Sequence, residues 1–306
     1  PAAKPRSMSA SRTRIGRLSA AQDNAADARR RIAALRPGFE EYETLRSALI
    51  RDIVLMHVGM DLACRSQNAS GGIPRNLIRF WHDHSELPND VAACMSTWER
   101  LVDHGFTVQT FDDASAERYI RARHGAREVA AFGRCAHPAM RCDYLRLCVL
   151  LAEGGLYVDC DDVLLDDGWT RLFDDDRLKL QPLCYDIAAG VMMPNADIWR
   201  TDLPAGERNF YVNNDPIAAP PGHPVLRRAL NRATALLLRG DDRPEIQATT
   251  GPGNLTTVLA EHAYALLLRG GTLDFSLIRG WDAIAEMKWD LSYRGDERNW
   301  RNVFGC

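Results

Sequence analysis

Apolar positions along this chain recur with two different periods, and the change between them divides it. From Ser19 to about Cys64 they return every three or four residues, as along one face of a helix. "DARRRIAALRPGF" breaks at Pro37, and a second helical stretch starts at Glu40. Residues 1 to about 17 lack that pattern and read as disordered, and "RSQNASGG" reads as a linker. From Ile73 short strand-like runs alternate with helical ones: strand "NLIRFWH", helix "DVAACMSTWERLVDHG", strand "TVQTF", helix "ASAERYIRARHG". Further strands are expected near Lys179–Tyr185, near Ile187–Met193, in "RNFYVNN" and in "LDFSLI". Helices are expected in "HPVLRRALNRATALLLRG" and "GNLTTVLAEHAYALLLRGG", ahead of an irregular tail rich in Trp. The pattern predicts a helical N-terminal extension, residues 1–70, and an α/β domain, residues 71–306.

The most informative segment is "RCDYLRLCVLLAEGGLYVDCDDVLL", starting at Arg141. His137-Pro138 fits a helix start and Gly154-Gly155 a helix stop. On that helix Asp143, Arg146 and Leu150 share a face. The strand that follows, Leu156 to Asp159, puts Tyr157 and Asp159 on one side, and continued extension would add Asp161. Ligands of open α/β sheets bind beyond the carboxyl ends of strands, where these aspartates are expected. Two carboxylates there repel each other unless a cation lies near. Oxygen ligands suit Mg²⁺ or Mn²⁺ shared with substrate phosphates. A bare D-x-D is common; Asp174-Asp175-Asp176, in a polar loop, reads as solvated charge.

Composition narrows the function classes. The chain has 306 residues, 46% hydrophobic and 26% charged, with a net charge of −3 that gives no case for nucleic acid. Residues 1–70 hold twelve Lys and Arg against seven Asp and Glu, so the extension is basic. The eight cysteines contain no C-x-x-C pair and read as reduced thiols of a cytoplasmic protein. "ALIRDIVLMHVGMDLA" carries Arg51, Asp52 and Asp61 and is no membrane span. His82 and His84 in "WHDH" lack a third ligand and read as a loop.

"IPRNLIRFWH", followed by the Arg141 segment, resembles the glycosyltransferases with a DXD-containing sugar-binding region. These are family 32 of the retaining GT-A enzymes, related in motif to the large clostridial glucosylating toxins. The resemblance covers about residues 73–300 and includes "YVNNDPIAAPPGHPVL", "TTGPGNLT" and "AEMKWDLSY". It implies an α/β GT-A fold, Rossmann-like, that binds a nucleotide-sugar with Mn²⁺ or Mg²⁺. A UDP-sugar is the first expectation and GDP-mannose the next. The resemblance implies that Trp81 stacks on the base, Asp143 and Arg146 hold ribose and sugar hydroxyls, and Tyr157 lines the nucleotide pocket. Asp159 and Asp161 take the metal, Asp161 most directly. Asn213, Asn214 or Asp215 lies near the reacting carbon. Where the family carries histidine, this chain has Met287 and Lys288; Trp289 and Ser292 remain, and Tyr293 replaces a Trp. Lys288 is expected to reach the diphosphate, with Trp289 and Ser292 beside the donor.

Other readings compete. Trp81 and Tyr157 read equally as core aromatics, and Asp143 with Arg146 as a surface ion pair. "LYVDCDDVLL" also fits the haloacid-dehalogenase-like phosphatases, with Asp159 as nucleophile, Asp161 as general acid/base, and Lys179 and Asp241-Asp242 as later motifs. That signature normally opens its domain, whereas about eighty α/β residues precede it here. A third class is a non-catalytic protein, or a delivered effector or toxin that modifies a host protein. In that reading the basic extension docks on a partner or an anionic membrane surface; its helices read equally as plain packing against the transferase domain. The acceptor, whether glycan, lipid, small molecule or protein, is not legible.

Overall fold

The computed structural model describes residues 23–24, 26–60, 72–203, 206–240 and 245–304. The 1–17 stretch, most of the linker and Asp241-Asp242 lie outside them. Among the described residues the strands are β1 (Asn76–Phe80), β2 (Thr107–Phe111), β3 (Gly155–Tyr157), β4 (Asp162–Leu164), β5 (Leu178–Asp186), β6 (Val191–Met192), β7 (Arg208–Ala219), β8 (Phe275–Leu277) and β9 (Ala285–Met287). The chain divides into two units, one of residues 1–67, 183–210 and 260–273, the other of residues 68–182, 211–259 and 274–306.

In the larger unit β1 lies between β2 and β3 and is parallel to both, with Leu77 opposite Val108 on one side and Leu156 on the other. β7 runs antiparallel to β3, Tyr157 facing Ile217, and β5 and then β8 extend the sheet. β4 pairs with β9 apart from the sheet. From β1 the chain moves outward to β2, then crosses back to β3 through the helices Asp113–Arg123, Ala126–Phe132 and Pro138–Glu153. The direction of winding therefore reverses at β1, and the carboxyl ends of β1 and β3 flank the crevice where such sheets bind ligands.

The Pro138–Glu153 helix fixes one wall of that crevice. His137 caps it, its Nδ1 accepting from the Ala139 amide at 3.0 Å, and proline occupies the first turn. It packs on β1 and β3, and the Pro224–Arg239 helix packs on it. The other face of the sheet is closed by an apolar cluster that includes Leu77, Trp98, Leu156, Val158, Trp169 and Trp281.

The helix matches the sequence pattern at both ends, but the strand after it does not. β3 stops at Tyr157, and the Asp159 amide donates to the Asp215 side chain at 3.0 Å rather than to a ladder carbonyl. The chain then turns, with the Asp162 amide donating to the Asp159 carbonyl at 3.3 Å. Asp161 is thus delivered by a turn and not by continued extension. "DVAACMSTWERLVDHG" likewise splits into the helix Asn89–Ser96 and a 3₁₀ segment, Glu99–His104. "RNFYVNN" is the start of a longer strand, β7, whose last five residues are all buried.

In the smaller unit, residues 26–33 are helical and the helix Glu43–Met60 follows a 3₁₀ turn at Phe39–Glu41. Phe39 meets Tyr264 edge-on at 5.1 Å, and the Tyr264 hydroxyl donates to the Leu35 carbonyl at 2.8 Å. Arg51 is buried and donates to the carbonyls of Ile198 at 3.0 Å and Leu203 at 3.3 Å. A cavity of about 300 Å³ opens among Leu35, Leu45, Leu49, Leu55 and the Arg31–Asp52 ion pair. No described helix is long and apolar enough to cross a membrane.

Gly155 starts β3 at φ +125°, and a Cβ there would stand 2.5 Å from the Asn76 carbonyl oxygen. Gly155→Ala is expected to cost at least ~2 kcal/mol in urea unfolding, because both the dihedral and the close approach of β1 must change. Gly72→Ala, which meets open space, should stay within about 0.5 kcal/mol of the parent.

Candidate active site

Five aspartates gather around two arginines at this crevice. Asp143 and Arg146 both lie on the buried face of the Pro138–Glu153 helix. Arg146 Nη2 is 3.1 Å from Asp143 Oδ1 and 3.0 Å from Asp159 Oδ1. Its other terminal nitrogen donates to the Asn214 carbonyl, and the guanidinium stands 4.1 Å from the centre of the Tyr157 ring. Tyr157 donates its hydroxyl to Asp159 Oδ1 at 2.9 Å. Asn214 Nδ2 and Thr250 Oγ1 donate to the two Asp143 oxygens at 2.7 and 3.2 Å. Each group is fixed by several partners, so a surface ion pair between Asp143 and Arg146 is excluded. Burial opposes the Arg146 charge, but Asp159 and its neighbours outweigh burial and raise its pKa well above the usual value. Burial also pushes the Asp143 carboxyl up to about 6, with Arg146 pulling it back.

The turn after β3 supplies the other acids. The Asp159 side chain is 33% exposed, whereas Asp161 is buried and its Oδ2 accepts from the Tyr293 hydroxyl at 2.7 Å and from the Arg294 guanidinium. Asp162 is 1% exposed, and among the described residues no hydrogen bond of ordinary geometry reaches its carboxylate oxygens, although the Asp215 and Trp281 side chains lie close enough to temper its pKa. Asp215 is buried against the Asp159 amide. Burial, and then the charges of nearby aspartates, raise the pKa of Asp161 and lift those of Asp162 and Asp215 well above the carboxylate range.

Trp81 follows directly on β1. It packs with Val91, Met95, Cys160 and Leu291 and meets the Tyr293 ring edge-on at 5.3 Å. Its indole nitrogen is buried with no hydrogen-bond partner among the described residues. The Lys288 amide donates to the Asp161 carbonyl at 3.0 Å, but the Lys288 ammonium turns to Glu286 at 2.8 Å in solvent. Trp289 is 55% exposed, with the Arg294 and Arg301 guanidiniums 4.9 and 4.8 Å from its ring centre. Ser292 bonds Asp90 through both its amide and its hydroxyl. Asn213 donates to Gln181 Oε1 at 3.2 Å and to the Asp215 carbonyl.

One hydrogen-bonded network therefore holds Asp143, Arg146, Tyr157, Asp159, Asn214 and Asp215. Asp161 joins it through the turn, and Trp81 borders it through Tyr293. The side chains of Lys288 and Ser292 are engaged elsewhere. Three participants were not picked out from sequence: Thr250, Asp162 and Arg294. Thr250 stands in the "TTGPGNLT" loop already noted, and Asp162 is the third acid of "DCDD". Arg294 carries no signal of its own, being 133 residues from its partner.

Among the described residues no three His, Cys, Asp or Glu side chains converge closely enough to hold a metal ion unaided. The donor set nevertheless fits a hard divalent cation that completes its shell elsewhere. All candidate ligands are oxygens, and Mg²⁺-type ions are commonly held by one or two carboxylates plus substrate phosphates and water. Orphaned Asp162 oxygens and an excess of acids over cations show a region short of positive charge.

The fold and site define an α/β protein with a carboxylate-lined switch-point crevice. Residues 76–177 match the model of the glycosyltransferase sugar-binding region containing a DXD motif. Over 206 residues the chain is 23% identical to the initiation-specific alpha-1,6-mannosyltransferase of Saccharomyces cerevisiae, covering 57% of this chain. The chain spans less than half of that relative, 42% of its length. A solved structure, the PaToxG glycosyltransferase, aligns with a TM-score of 0.43 at 16% identity, covering 77% of this chain and 88% of that one.

The Asp143 shift has a definite sign. Its folded pKa of about 6 lies above the ordinary value of about 3.9, so the folded state holds an extra proton between them and this group's stabilising contribution is lost as pH rises through that window. Asp143→Asn cannot lose a proton. The stability of Asp143→Asn relative to the parent should therefore improve from pH 4.5 to pH 7 in thermal unfolding with chelator. A constant difference across that range contradicts the assignment.

Proposed function

We propose that this protein transfers a sugar from a nucleoside-diphosphate donor to a hydroxyl acceptor at the Asp159–Asp161 turn, with a divalent ion, and with retention of configuration. The observation that carries the reading is the position of the D-x-D turn, at the β1/β3 switch point, within the matched sugar-binding region. A divalent ion held by Asp159 and Asp161 would stabilise the charge that develops on the departing diphosphate. Trp81, with its unpaired indole nitrogen, is assigned to the base. Arg146 and Asp143 are assigned to the ribose and sugar hydroxyls, held rigid by Asn214 and Thr250 so that the donor is bound in one orientation. Asp215 is buried and already bonded to the Asp159 amide, which argues against its use as a covalent nucleophile. Attack by the acceptor hydroxyl from the face the nucleotide leaves fits that arrangement.

The base and sugar of the donor stay open between two candidates. The sequence resemblance favours UDP-sugars, whereas the yeast relative's name specifies mannose transfer. The phosphatase alternative finds less support: Lys179, the lysine it requires, is paired with Asp175 and not with Asp159. GDP-mannose, UDP-glucose and UDP-N-acetylglucosamine should be compared for nucleotide release with Mn²⁺. One donor is expected to turn over, and Asp159→Asn and Asp161→Asn should each lower kcat/KM by roughly 100-fold or more. Turnover of phosphomonoesters with no nucleotide release from any donor would overturn the reading.

A further inference from the structure

The oxygen that the D-x-D motif should offer to a metal is already taken by a cation from this chain. Asp161 Oδ2 accepts from Arg294 as well as from the Tyr293 hydroxyl. The guanidinium is held over two rings, 5.0 Å from the centre of Tyr293 and 4.9 Å from that of Trp289. Its segment is tied down before it, by the Lys288 amide on the Asp161 carbonyl and by Ser292 on Asp90, and after it, by Asn299 Nδ2 donating to the Arg294 carbonyl at 2.9 Å. Arg294 is thus placed by a built set of contacts, yet its Nε is buried with no hydrogen-bond partner among the described residues. A planar five-donor fork whose buried Nε donor has no hydrogen-bond partner among the described residues suits a bidentate oxyanion better than a single carboxylate oxygen.

We propose that Arg294 is a resident counter-cation that competes with the divalent ion for Asp161 and is drawn off by the diphosphate of the arriving donor. This rests on the transferase reading above. A guanidinium and a divalent ion cannot share Asp161 Oδ2 without strong like-charge repulsion. The donor-free protein therefore binds the ion weakly. When a diphosphate offers Arg294 a doubly charged partner, the guanidinium moves across and frees the Asp161 oxygen. Metal and diphosphate then bind with mutual reinforcement, and part of that coupling passes through Arg294.

The test is Mn²⁺ binding followed by electron paramagnetic resonance, with no donor present, in the parent, Arg294→Met and Arg294→Lys proteins. Arg294→Met is expected to bind Mn²⁺ roughly 10-fold more tightly than the parent, within the range typical of site–site coupling, while Arg294→Lys stays close to the parent. Adding GDP or UDP should raise Mn²⁺ affinity by a larger factor in the parent than in Arg294→Met. Should Arg294→Met not fold, Arg294→Gln removes the charge and keeps a donor to Asp161, with the same expectation. Equal Mn²⁺ affinity in parent and charge-free variants would overturn the competition while leaving the metal site standing, provided that Asp161→Asn abolishes the Mn²⁺ bound with nucleotide. Failure of every protein to bind Mn²⁺, even with either nucleotide, would overturn the transferase reading and this inference together.

Discussion

Buried negative charge is the constraint from which the site follows. Asp143, Asp159, Asp161, Asp162 and Asp215 lie within one network or turn, and among the described residues Arg146 and Arg294 are the cations paired with them. Carboxylates taken from water must be paired, protonated or bound to metal. Two of these answers are visible here. Arg146 pairs two of the acids, Arg294 pairs a third, and the remaining two have pKa values lifted well above the ordinary range, which favours their neutral forms. A protein selected only for stability has no reason to assemble such a cluster, since an apolar core of the same volume is commonly as stable or more so. The cost is understandable where a multivalent cation and a diphosphate are to be received.

The fold makes the cluster possible by keeping β3 short. Gly154 and Gly155, at φ +68° and +125°, turn the chain from the Pro138–Glu153 helix straight into a strand wedged between β1 and β7. After three residues the Asp215 side chain takes the place of a ladder partner, and the chain turns away into β4. Helix, strand end and β7 therefore each deliver charged groups to one point. Tyr157 joins them, donating to Asp159 while its ring lies against Arg146. Outside the Asp159–Asp161 turn, these are fixed side chains on regular elements, the setting in which geometry is best preserved.

Local chemistry was legible in the sequence where a single element carried it. Proline at the first turn and paired glycines at the end gave the Pro138–Glu153 helix its bounds, and its i, i+3 Asp143 and Arg146 emerged as neighbours. "TVQTF" emerged as β2 over Thr107–Phe111. What depends on distant segments was not legible. Nothing near position 159 announces that an Asp215 side chain will end β3, so extension through Asp161 was the natural expectation. Tyr293 appeared only as a replaced tryptophan, and Arg294 as one arginine among many, although together they hold Asp161. The two expectations for Lys288 and Ser292 rested on motif position alone, and their side chains turn to Glu286 and Asp90.

The most direct measurement is anomalous scattering from a crystal of the protein soaked with Mn²⁺ and a nucleoside diphosphate. A manganese peak is predicted within coordinating distance of Asp159 and Asp161, with the diphosphate on its open side and the base against Trp81. A well-ordered diphosphate bound away from these aspartates, with no manganese beside them, would contradict the account.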